Sequence, residues 1–241
     1  MSDVEQIQWE EARRMVYGFF SQAFLRGPSR EFWESLASDE GTANLREIFP
    51  DTAYRQELAQ VGLDAQEGRL TLEEAVLDFE ALFRVPGACY LSPYESVYRS
   101  QAAGGRCSLC GPEAVAVERL YLKEGLGPND GVAELPDHVG VELEFMGYLC
   151  GQALEALRAG DQVRLAEYRR REQDFFREHV GPWVRLLAAR LASQAQTSLY
   201  RFLGNFLNLF LALEKDLHFR SGEICPVAGA ADASVVQGVG Q

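Results

Sequence analysis

The chain is poor in the residues that most active-site chemistry needs. Its 241 positions hold three histidines, at 138, 179 and 218, and five cysteines. The histidines are scattered, so no base–nucleophile pair is visible in the order of the chain. The opening MSDVEQIQWEEARR lacks the basic start and apolar run of a secretory signal, and five is an odd number of cysteines. Together these point to reduced thiols rather than a disulfide framework. Basic residues are also few, 23 Lys and Arg against 36 Asp and Glu, for a net charge of −13. A field of that sign repels phosphate backbones and disfavours nucleic acid. It favours a basic partner such as an arginine-bearing peptide, although the same charge also serves plain solubility. No apolar run approaches the roughly 18 residues of a membrane span. The longest, Phe202 to Leu213, is broken by Gly204, Asn205 and Asn208. The expectation is a soluble, cytoplasmic protein with no direct membrane insertion. G-x-S-x-G, G-x-x-x-x-G-K-[ST] and strand-to-helix G-x-G-x-x-G are absent, which removes the commonest routes to hydrolase, kinase and dehydrogenase.

What the chain has is helical periodicity. Hydrophobic residues make up 47% of it, enough for a sizeable core. Ile7, Met15, Val16, Phe19, Phe20, Ala23 and Phe24 fall on one broad stripe that Gly27-Pro28 ends, and Ser29 can cap a short helix through Leu36. A helix is expected from Thr52 to Glu67, and Thr71 with Glu74 has capping-box spacing ahead of another that stops at Pro86-Gly87. From Pro86 to Pro112 the pattern fails, which predicts a long irregular connection of the kind that is usually functional. Helical periodicity returns at Glu113–Lys123, from Pro136 to Ala159, from Asp161 to His179, from Pro182 to Ala195 and from Gln196 to Phe219. The Gly-rich run 221–241 reads as a flexible tail. The predicted fold is all-α, a single helical domain over 1–220.

Two constellations carry candidate chemistry. Cys107 and Cys110 form a CxxC, suited to zinc or redox work, but no second pair completes a ribbon. Asp137, His138, Glu142 and Glu144 crowd into about two helical turns. His138 and Glu142, four apart on a helix, can meet and with Asp137 or Glu144 (or His179 from elsewhere) hold a metal. The second histidine of H-E-x-x-H is missing. The bland alternative is a helix start with Pro136 in the first position, Asp137 complementing the dipole and His138 pairing with Glu142. Phe79, Phe83 and the aromatics from Tyr200 to Phe210 read as core, or as a groove for a partner's apolar segment.

Three stretches carry a resemblance: "FEALF" (Phe79 to Phe83), "SPYESVY" (Ser92 to Tyr98) and "LPDHVGVELEFM" (Leu135 to Met146), followed by "GPWV" at Gly181 to Val184. In this order they resemble the TorD/DmsD/NarJ group of redox-enzyme maturation chaperones. Leu91-Ser92 departs from it, since many members carry an acidic residue before the loop's proline, and the CSLC loop is no general feature. The resemblance implies an all-helical, non-catalytic protein without cofactor or metal. It implies a client, the apo form of a molybdopterin oxidoreductase (nitrate, dimethyl sulfoxide or trimethylamine N-oxide reductase-like) and its twin-arginine leader. The chaperone holds that client from export until its molybdopterin cofactor is inserted. Carried over by motif, the client-binding residues are Tyr94, Ser96, Tyr98, Asp137, His138 and Glu142, with Phe145 and Trp183 structural. The resemblance also implies a monomer or a domain-swapped homodimer.

Overall fold

Ser2 opens the first helix. Its hydroxyl accepts from the Glu5 N–H at 3.3 Å while Glu5 accepts from the Ser2 N–H at 2.7 Å, a reciprocal cap on two otherwise orphaned donors. The structure, a computed structural model, describes residues 2–36, 52–105, 108–127 and 134–220. The helices are α1 (Asp3–Leu25), α2 (Arg30–Leu36), α3 (Thr52–Gln66), α4 (Leu72–Phe79), α5 (Glu95–Ala102) and α6 (Pro112–Lys123). They continue with α7 (Val139–Arg158), α8 (Gln162–Phe175), α9 (Gly181–Gln194) and α10 (Ser198–Arg220). Among the described residues there is no strand, only an isolated antiparallel bridge between Tyr94 and His138. The fold is all-α.

The local signals mostly act as the sequence indicates. Ser29 caps α2, its hydroxyl accepting from the Phe32 N–H at 3.1 Å. Thr71 and Glu74 form the capping box of α4, with hydrogen bonds of 2.8 and 3.2 Å. Three boundaries differ. The 86–112 connection is not irregular throughout, because α5 lies inside it. Pro136 and Asp137 precede α7 instead of opening it; His138 is its N-cap. The break expected between His179 and Pro182 is bridged by a π-turn, Phe176–Val180, that joins α8 directly to α9. A second π-turn, Glu80–Arg84, extends α4. The wider ring places Gly181 N–H on Phe176 C=O, so the chain passes Pro182 without ending the helix. The 221–241 segment lies outside the described residues.

Helix α7 is buried along most of its length and α1 lies against it. Contact is closest where side chains vanish: a Cβ on Gly140 would lie 2.6 Å from Leu25 Cγ. The α9–α10 pair is tighter still, since a Cβ on Gly204 would meet the Ala192 backbone nitrogen at 2.5 Å. Aromatic contacts join α1 to α10, with Tyr17–Phe210 centroids at 4.8 Å and Phe20–Phe206 at 5.0 Å. One end of this core is ionic. Buried Arg13 on α1 pairs with Glu10, with Glu172 of α8 and with Glu214 of α10, and Tyr17 donates to Glu214 at 2.7 Å. Met15, expected on the apolar stripe, is exposed.

Candidate functional site

The motif residues converge where the Pro93–Tyr98 segment crosses the start of α7. Val139 N–H donates to Pro93 C=O at 2.8 Å and Glu95 N–H to Asp137 C=O at 3.0 Å. Tyr94 is the N-cap of α5 and has no capping side chain of its own. Asp137 supplies one: its Oδ2 accepts from the Ser96 N–H at 3.0 Å, placing a carboxylate at the positive end of α5. The sequence expectation put Asp137 in the first turn of its own helix; it serves its neighbour's.

His138 caps α7 with its ring, Nδ1 accepting from the Gly140 N–H at 3.0 Å. The ring is buried edge-on to Tyr94, 5.3 Å between centroids. Burial pushes its pKa down to about 4; the nearby Arg84 charge acts the same way and the Glu134 carboxylate opposes both. His138 is therefore neutral near pH 7 and its Nδ1 is an acceptor. It does not pair with Glu142, as the sequence allowed. Glu142 instead accepts from Trp183 Nε1 at 3.0 Å. Burial above all, with the charge of Glu95 and then Asp137 adding, holds the Glu142 carboxyl well above the ordinary carboxylate range, while the Trp183 bond opposes. The protonated carboxyl can then donate to Glu95.

Five of the six predicted residues are buried: Ser96, Tyr98, Asp137, His138 and Glu142, with Asp137 and Glu142 both 0% exposed. Tyr94 is half-buried, its hydroxyl donating to Glu134 at 2.8 Å. Tyr98 packs on Trp183 at 5.1 Å, with the Arg190 guanidinium 5.3 Å over its ring, and burial raises its phenol to about 12. Phe145 and Trp183 are buried, as structural roles require. The structure thus assembles all six into one wall, but it does not present Asp137 and Glu142 on the surface as bare carboxylates. Ser96 Oγ and Asp137 Oδ1 find no hydrogen-bond partner among the described residues.

The metal reading finds its residues apart. His138 Nδ1 is used as a cap, Glu142 faces Trp183, and His179 Nδ1 lies 2.9 Å from Glu95 Oε2. Among the described residues the grouping with metal-ligand spacing is Glu10, Cys150 and Glu172, where Arg13 already sits as the cation. Cys107 lies outside the described residues; Cys110 is exposed with a positive φ of 58°.

Sequence reasoning missed several participants. Glu95 joins Arg99 at 3.0 Å and His179, while Arg99 reaches the Glu178 carbonyl, so α5 is tied to the π-turn before α9. Glu134 receives Arg84 at 2.6 Å as well as Tyr94. Tyr121 donates to Pro136 C=O at 2.9 Å. Glu95 stood inside the quoted SPYESVY, and a charge enclosed by apolar and aromatic neighbours was the available signal.

The fold and this wall define a class: an all-helical protein whose motif residues join two segments of backbone rather than flank a reacting centre. The chain belongs to the nitrate reductase delta subunit family, whose model matches residues 39–189. It is 30% identical to the selenate reductase assembly chaperone protein of Thauera selenatis, over 81% of this chain and 94% of the relative. It is 32% identical to the chlorate reductase assembly chaperone protein of Ideonella dechloratans, over 62% and 72%. It is 23% identical to the chaperone protein TorD of Vibrio cholerae, over 85% and 91%. These relatives are named as chaperones, two of them as assembly chaperones of a reductase, and not as enzymes, and the chain takes its place among such chaperones. Among the described residues no helix is long and apolar enough to cross a membrane.

Proposed function

We propose that this chain is the cytoplasmic assembly chaperone of a molybdopterin oxidoreductase, binding the apo enzyme and its twin-arginine leader until the cofactor is in place. The observation that carries the reading is the convergence of the six motif residues, separated by up to 48 positions in sequence (142 − 94), into one wall at the α5–α7 junction. Motifs that resemble those of maturation chaperones meet here at one junction, mostly buried, with Tyr94 at its solvent edge. In this reading Tyr94 meets the client, since it alone of the six reaches solvent substantially. Ser96, Tyr98, Asp137, His138 and Glu142 hold the segment behind it in shape. Polar atoms of that wall without a partner among the described residues, Ser96 Oγ and Asp137 Oδ1 among them, support a site built for more than packing. The net charge of −13 supports a basic client segment and raises its encounter rate at low salt.

The test is direct. Titration of the purified chain with a synthetic leader carrying adjacent arginines before an apolar stretch is expected to show saturable binding that weakens in salt. The apo form of a molybdopterin oxidoreductase co-expressed with the chain should co-purify with it, and the cofactor-loaded enzyme should not. A chain that binds neither the leader nor the apo enzyme overturns the reading.

A further inference from the structure

We propose that the groove between α6 and α7 takes one arginine side chain of the client's leader; this rests on the reading above and gives the leader a place. The groove measures about 330 Å³, and Tyr121, Phe145 and Tyr148 line it. Phe145 and Tyr148 lie nearly parallel, 6.0 Å between centroids and 14° between planes. Its charged lining is of one sign among the described residues: Glu118, Glu134 and Glu144, with no described lysine or arginine lining it. Glu134 is already paired with Arg84. Glu118 and Glu144 are exposed, and neither makes an ion pair or side-chain hydrogen bond with a described residue. These two carboxylates are therefore the ones with charge to offer.

That combination selects the occupant. A purely apolar side chain would leave the carboxylates unanswered, and a bare ammonium would leave the aromatic walls unused. An arginine answers both, its methylene stem lying on apolar surface and its planar guanidinium stacking on a ring while forking to carboxylates. The wall behind the groove is buried. Burial first, then the neighbouring acidic groups, push the Tyr121 phenol up, so it lines the groove as a neutral hydroxyl. Leu122, 57% exposed on the lip, offers contact to an apolar residue beside the arginine.

The experiment uses the full chain and the same synthetic leader. Glu118→Gln with Glu144→Gln, both on exposed helix faces, is expected to weaken leader binding roughly fivefold or more and to flatten its salt dependence. A leader with a photo-crosslinker beside its arginines is expected to label α6 and α7. If the parent binds the leader while the double variant keeps the parent's affinity and salt dependence, and the label falls outside α6 and α7, the groove assignment is overturned and the chaperone reading stands. If a leader with its arginines replaced by leucine binds the parent as tightly, the groove is an apolar site and the arginine assignment fails. A parent that binds no leader at all overturns the groove assignment, and the chaperone reading falls with it when the apo enzyme is not bound either.

Discussion

Asp137 Oδ2 lies 3.0 Å from the backbone nitrogen of Ser96, so the N-terminus of α5 is capped by a residue 41 positions further along the chain. The crossing of the two segments is thereby tied to the existence of a helix. Removing the carboxylate leaves a buried N–H unsatisfied and withdraws a negative charge from the positive end of the dipole. Asp137→Ala is expected to lower stability by about 1–2 kcal/mol, while Asp137→Asn, whose amide oxygen still accepts, retains most of it. Urea denaturation should show a lower midpoint for the alanine variant at unchanged slope. Equal midpoints for parent and Asp137→Ala would show that α5 does not depend on this cap.

Glu142 makes a pH prediction with a definite sign. Its folded pKa lies above the unfolded value, because burial and then the charge of Glu95 disfavour its ionised form. The folded chain keeps a proton there that the unfolded chain releases above about pH 4.3. This group's contribution is therefore fully present below that pH and is lost as pH rises toward the folded pKa. Glu142→Gln removes the titration while keeping an oxygen for Trp183 and an N–H for Glu95. Its stability relative to the parent is expected to grow between about pH 4.5 and pH 8. Parallel profiles of unfolding free energy against pH would contradict the assignment.

What could be read from the sequence, and what could not, divides by range. The Thr71–Glu74 box and the Ser29 cap join residues three apart, so spacing revealed them. The residues at 94–98 and 137–142 were picked out by motif and do meet. Their roles were not legible, because each depends on a distant partner: Glu142 on Trp183, 41 positions away, and Glu95 on His179, 84 away. Helix α5 was missed for the same reason. Its cap comes from Asp137, so the local sequence, with Tyr94 at the N-cap, carries no start signal. The α8–α9 junction misled in the opposite way. Gly181-Pro182 is an ordinary stop signal, and only a π-turn carries the helix through it.

Two glycine substitutions are expected to move stability in opposite directions. Gly18, exposed on α1, has nothing within 4 Å of where a Cβ would stand. Gly18→Ala should therefore gain about 0.5–1 kcal/mol from helix propensity. Gly204 stands against backbone, 2.5 Å from Ala192 N and 2.8 Å from Ala188 O, which cannot swing aside as a side chain would. Gly204→Ala should lose about 1–3 kcal/mol as α9 and α10 are forced apart. Thermal melts decide both. A Gly204→Ala chain melting at or above the parent's temperature would mean that the α9–α10 contact is looser than described.

The last prediction concerns His138, whose ring must stay neutral to do its work. Its Nδ1 accepts from the Gly140 N–H, so the ring proton sits on Nε2; a second proton on Nδ1 would set donor against donor at the start of α7. The groups facing the ring are Tyr94 from the α5 segment, Glu134 from the chain ahead of α7 and the charge of Arg84 from the π-turn. Burial dominates among these influences and brings the folded pKa down to about 4. A depressed folded pKa means that the stability is present above the unfolded value of about 6.5 and is lost as pH falls from there toward 4. The full span is on the order of 3 kcal/mol. Other carboxylates also contribute to acid unfolding, so the informative quantity is a difference. His138→Asn keeps a capping oxygen and removes the titration, and its stability relative to the parent should rise as pH falls from about 6.5 to 4. In the parent, the His138 ring proton resonances followed by NMR should show a midpoint near 4, well below that of an exposed histidine. A midpoint near 6.5, with the variant tracking the parent down the acid limb, would show that the ring is solvated and that α7 is capped by something else.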